Sequence, residues 1–145
     1  GALYDIGVYP LYFTIGMFGI PEEYMGGNYL VSSGADGYGN IILKYSDKIA
    51  SITYSKITDS KTPSEIQGEK GSIIIGKLST VKDVKIVYRD GREEKIEIDI
   101  HKNDMVYEAM EFINLIKGKK LESDVNSHKN SRKVVEIMEN LANKN

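Results

Sequence analysis

The sequence predicts an α+β fold, a mostly antiparallel open-faced sheet of about six or seven strands with helices packed on one face. Three observations predict it. Apolar residues recur at helical spacing near both ends of the chain, and they alternate with polar residues through the middle. The links between the alternating runs are too short for the dozen or more residues of a crossover helix, so neighbouring strands must run antiparallel. An Asp90-Gly91 step stands between two of the runs, and such a step suits a tight hairpin turn.

The first helix is expected over residues 3 to 18, closed by Gly19 with Pro21 just beyond. Pro10 cannot donate to the carbonyl of Ile6, which predicts either a kink or a short lead-in turn with the regular helix beginning near Gly7. Ile6, Tyr9, Phe13 and Met17 recur at helical spacing and are expected to face the sheet. Strands follow near 24 to 33, then at Ile41–Tyr45 and Ala50–Tyr54, the last two joined as a hairpin by Ser46-Asp47-Lys48. Gly26-Gly27 and the Gly34, Gly37, Gly39 cluster are assigned to turns, since no helix start follows them to make a phosphate loop. Further strands are expected at 64 to 68, 71 to 76, 84 to 88 and 95 to 100.

Asn103 is placed to cap a helix over 104 to 117, with Val106, Met110, Ile113 and Leu115 or Ile116 inward and Gly118 at its C-terminal turn. A last helix starts at a Ser127 cap and buries Val134, Ile137, Met138 and Leu141, while Lys144 and Asn145 fray its end. The outward residues Ile49, Thr53 and Ile57 and the outward tyrosines leave a mixed, partly polar sheet face for a partner. Ten tyrosines and no tryptophan suit such an amphipathic surface.

Composition narrows the function. The 145 residues are 41% hydrophobic, enough for one domain with a real core. A net charge of −2 with scattered lysines argues against a nucleic-acid partner, which shows as a basic stripe. Cysteine is absent, so no disulfide framework or thiolate metal site exists, and the cytoplasm is the default location. The uncharged run from Ile6 to Pro21 is shorter than the roughly 20 residues of a membrane span, and no basic leader precedes it. His101 and His128 stand alone beside lysines without ligand spacing, so no metal site is expected.

Chemistry concentrates at the start, in Gly1-Ala-Leu-Tyr-Asp5-Ile-Gly7-Val-Tyr9-Pro-Leu11. On a helix, Asp5 and Tyr9 share one face with Cβ atoms about 5 to 6 Å apart, and a carboxylate beside a phenol can hold a substrate hydroxyl and move its proton. Taken alone, Asp5 reads as a helix cap or a partner for the helix dipole, and Tyr9 as a core aromatic. Gly1 and Gly7 leave room for close approach by a ligand or another chain.

This stretch resembles the G-x-x-x-D-x-G-x-[HY] signature of the glucose-fructose oxidoreductase / inositol dehydrogenase / MocA-like (Gfo/Idh/MocA) family of NAD(P)-dependent oxidoreductases. Ser64-Glu-Ile-Gln-Gly68-Glu-Lys-Gly71-Ser-Ile73 is similar to the family's I-x-G-x-x-G-S-I strand pair, and Tyr107-Glu-Ala-Met-Glu111-Phe112 through Ile116-Lys-Gly118 to its penultimate helix. The resemblance implies a glyceraldehyde-3-phosphate dehydrogenase-like C-terminal domain of the Tyr-type, dihydrodiol dehydrogenase-like variant, with Asp5 and Tyr9 as its catalytic pair. It also implies NAD or NADP, bound mainly by an N-terminal domain whose Gly-rich turn and Glu-Lys-Pro lysine do not occur in these residues. The chain is therefore expected to be a single-domain fragment, inactive alone, of a dehydrogenase acting on the hydroxyl or carbonyl of a sugar, polyol or related small molecule. A phenol ordinarily titrates near pH about 10, so Tyr9 needs a neighbouring cation to act as a base near neutrality; the absent lysine is the expected source. A homo-oligomer through the open sheet face is expected, with no nucleic-acid or membrane partner. Two alternatives stay open: a non-catalytic sensor of the same fold, and a pure dimerisation module.

Overall fold

The computed structural model describes residues 1–143, and the fraying expected at Lys144 and Asn145 lies outside them. Both sheets are antiparallel and the fold is α+β, as the alternation and short links require. Among the described residues seven strands form, divided between a three-stranded sheet and a four-stranded sheet. The chain clusters into two compact units, Gly1–Asp59 with the stretch from Lys120 onward, and Ser60–Lys119.

The first unit opens with a π-helical turn at Leu3–Gly7 that runs directly into α1, Val8–Phe18. Pro10 therefore stands in the first turn of α1, where a missing N–H costs least. The lead-in expected from Pro10 is this π-turn. Gly19 ends the helix at φ 81°, a left-handed conformation that suits glycine.

The face expected to meet the sheet is the wrong one. Leu3, Gly7, Leu11, Thr14 and Ile15 are buried, whereas Tyr9 and Met17 are exposed and Ile6 and Phe13 only half-buried. Two causes combine. Apolar residues surround this helix on every side, so spacing alone selects no stripe, and the wide π-turn shifts the register before α1 begins. Thr14 is accommodated in the core because its Oγ1 donates to the Pro10 carbonyl at 2.7 Å.

The sheet of this unit is β1, Glu23–Leu30, β2, Asp36–Lys44, and β3, Ile49–Ser55, in sequence order. Its register sets Gly27 opposite Asn40, Ile41 opposite Ile52 and Lys44 opposite Ile49. The period of two puts Ile41, Leu43, Ile52 and Tyr54 inward. They share one core with Leu3, Leu11 and Ile15 and with Val134, Ile137, Met138 and Leu141 of α3, His128–Ala142. All four residues expected on the inner stripe of the last helix are there, and the Ser127 side chain accepts from the Asn130 N–H at 3.2 Å as its cap. On the outer face, Ile49 and Tyr29 are exposed; Ile57, expected there too, lies past the end of β3 with its side chain against the inward side of Gly37.

The glycines expected in turns mostly lie in strands. Only Gly34 serves a turn, at φ 82°, while Gly26 and Gly27 sit in β1 and Gly37 and Gly39 in β2. Gly39 shows the reason: a Cβ there would collide with the Tyr54 hydroxyl and with Asn28, which are hydrogen-bonded to each other across the inner face.

In the second unit, β4, Ser64–Gly68, β5, Gly71–Lys77, β6, Lys82–Tyr88, and β7, Glu93–Ile96, pair in sequence order. The Asp-Gly hairpin forms, with Gly91 at φ 84° and Tyr88 N–H donating to the Arg92 carbonyl at 2.9 Å. The last strand stops at Ile96, short of the expected Ile100. α2, Met105–Gly118, forms as expected, and Asn103 Oδ1 accepts from the Met105 N–H at 3.1 Å. Its inward stripe does not: Met110, Ile113 and Ile116 are exposed, Val106 and Leu115 half-buried, and no α2 residue is fully buried. Gly118 remains helical, and Lys119 takes the left-handed position at φ 52°.

Candidate functional site

Asp5 sits at the centre of the π-turn and Tyr9 in the first turn of α1. An α-helix completes a turn every 3.6 residues, so a residue four further on overshoots the first; the wider π-turn falls short of it. A step that is part π and part α brings Tyr9 closer to standing directly above Asp5. Both groups are open to solvent, with the Asp5 side chain 65% and Tyr9 66% exposed. Among the described residues they do not hydrogen-bond each other, so neither occupies the other.

The backbone beneath them is tied down on both sides. Leu3 N–H donates to Asp36 Oδ2 of β2 at 2.6 Å, and Gly7 lies against the Tyr54 ring of β3, where a Cβ would stand 3.0 Å from Cδ1. The room that Gly1 and Gly7 were expected to leave for a ligand or another chain is taken up within this chain, by Asp36 and by Tyr54. Burial, reinforced by the Asp36 carboxylate, pushes the Tyr54 phenol up to about 12. Tyr54 is occupied on the inner face as a donor to Asn28, whereas Tyr9 is open to solvent.

Sequence reasoning missed a third group. Lys56, just past the end of β3, places its Nζ on Oδ2 of Asp5. Its hydrogen bond first, and its charge second, hold the Asp5 carboxyl below the usual carboxylate range. No spacing in the sequence could have found it, because the two residues meet only through the packing of the π-turn on β2 and β3.

His101 and His128 are exposed and belong to different units. Among the described residues no three His, Cys, Asp or Glu side chains gather as a metal ion would require. No helix among them is long and apolar enough to cross a membrane. No Gly-rich phosphate turn opens either of the last two helices. The segments that lead into α2 and α3, residues 97–104 and 119–127, contain no glycine, and the first carries Glu97, Asp99 and Asp104, which would repel a pyrophosphate.

Comparison with known proteins bears on what this surface is. No protein-family model matches the chain. It is 46% identical over 139 residues to scyllo-inositol 2-dehydrogenase (NADP(+)) IolU of Bacillus subtilis, covering 96% of the chain and 42% of that protein. It is 37% identical over 116 residues to the uncharacterized oxidoreductase YgjR of Escherichia coli, covering 80% of the chain and 35% of that protein. The chain is a homologue of oxidoreductases. This supports the Gfo/Idh/MocA resemblance carried by the opening residues. Solved structures agree on the fold: UDP-N-acetylglucosamine 3-dehydrogenase GnnA of Acidithiobacillus ferrooxidans superposes with TM-score 0.78 at 13% identity, over 97% of this chain and 48% of that one. An oxidoreductase of Bacillus cereus gives TM-score 0.73 at 17% identity, over 97% and 48%. The chain thus spans less than half the length of each of these proteins.

Proposed function

We propose that this chain is the substrate-binding, catalytic and dimerisation domain of an NAD(P)-dependent oxidoreductase that acts on the hydroxyl or carbonyl of a sugar, polyol or related small molecule. The observation that carries the reading is the exposed Asp5 and Tyr9 on one rigidly anchored π/α segment. Asp5 accepts the hydrogen bond of the reacting hydroxyl and orients it, and Tyr9 gives or takes its proton, in the manner of a Tyr-type member of the family. When bound, a nicotinamide would supply the hydride chemistry. The name of IolU supports a polyol and NADP as the first substrate and cofactor to try.

The chain alone, given NAD(H) or NADP(H) with scyllo-inositol and a panel of sugars, is expected to show no turnover. Turnover above background would overturn the division of labour between this chain and a separate cofactor-binding segment. The exposed Ile49 and Tyr29 on the outer face of the first sheet favour a second role as a homo-oligomer surface. Sedimentation of the chain at high concentration is expected to show a dimer, and a strict monomer would remove that role.

A further inference from the structure

We propose that Lys56 is a positioning residue of this site, holding the Asp5 carboxylate in one orientation so that its second oxygen faces the substrate. The inference rests on the dehydrogenase reading above. An exposed ion pair is by itself a weak interaction, since two long side chains must be ordered to make it. Here the backbone at both ends is fixed, which sets where the two side chains start. Lys56 N–H donates to the Gly37 carbonyl at 2.8 Å, and the next turn is folded over Ser55, whose Oγ accepts from Ile57 N–H at 3.0 Å and Thr58 N–H at 2.9 Å. On the other side, the π-turn that carries Asp5 is fixed to β2 through Leu3 and Asp36 and to β3 through Gly7 and Tyr54. The charged ends therefore meet from two supports that cannot drift far apart.

Geometry gives the consequence. With Lys56 Nζ on Oδ2, rotation of the carboxylate is restrained and Oδ1 is the oxygen left to meet a ligand hydroxyl. The charged group that holds Asp5 is Lys56 from the end of β3, while Asp36 of β2 accepts from Leu3 N–H at the start of the turn. Lys56 follows β3, so it is distinct from the lysine that the family places in a Glu-Lys-Pro stretch.

The test uses K56M and K56R. In the 145-residue chain, carbon-detected NMR titration of the Asp5 carboxyl is expected to show its midpoint rising in K56M and returning in K56R. An Asp5 midpoint that is the same in all three proteins overturns the proposal. In the intact enzyme, K56M is expected to lower kcat/KM by up to roughly a hundredfold, the loss that about 1 Å of misplacement brings. The acid limb of its pH profile should move to higher pH, K56R should restore both, and the melting temperature should stay put. An acid limb that does not move overturns the proposal whatever happens to the rate. If the wild-type enzyme shows no turnover while the Asp5 midpoint still follows Lys56, the dehydrogenase reading falls and the hold of Lys56 on Asp5 stands.

Discussion

Asp5→Asn in the intact enzyme is expected to lower kcat/KM by about a hundredfold to ten-thousandfold, the usual contribution of a positioned acid or base, with the melting temperature nearly unchanged. The carboxylate is held ionised by Lys56 and lies open to solvent, so the amide loses the charge that orients the hydroxyl while the core is untouched. Tyr9→Phe removes the proton carrier and is expected to fall in the same range. The phenol is exposed, so its loss leaves no buried donor without a partner. If the two groups act on one hydroxyl, the double variant will be little worse than the poorer single one, because groups that work as a unit are far from additive. Wild-type turnover in Asp5→Asn would refute the assignment of the site; a large drop in melting temperature would make the residue structural.

What the sequence disclosed, and what it hid, divides along physical lines. The last helix was legible because Val134, Ile137, Met138 and Leu141 stand against polar flanks, so one face alone is apolar. The hairpins were legible because alternation and an Asp-Gly step are local signals. The first helix was found with its limits, but its buried face was not, since apolar residues all around it leave the choice to tertiary packing, and Pro10 announced a lead-in turn without its π-helical width. Glycines such as Gly39 looked like turn residues and instead yield space to Tyr54, a partner on the next strand. The same holds at the site. Asp5 and Tyr9 are neighbours in sequence and were visible; Lys56 reaches Asp5 only after β3 has docked, and was not.

Leu11→Ala is expected to destabilise the first unit by about 2–5 kcal/mol, measured by denaturant unfolding. Leu11 is 0% exposed, in the same core as Ile15, Ile41 and Ile137. Its truncation removes apolar contact from the helices and the sheet at once, and these rigid elements can only partly close the space. A loss of that size is a large share of the roughly 5–15 kcal/mol that holds a domain folded, and the π-turn depends on the same core through Leu3. The matched comparison is Ile116→Ala on α2, which is 63% exposed and is expected to stay within about 0.5 kcal/mol. The contrast tests the burial pattern where sequence periodicity left a choice: Leu115 or Ile116 was read as inward, and the structure half-buries Leu115 and leaves Ile116 in solvent. An Ile116→Ala loss as large as that of Leu11→Ala would mean that something covers the apolar face of α2 in solution, and the expected inner stripe of that helix would be reinstated.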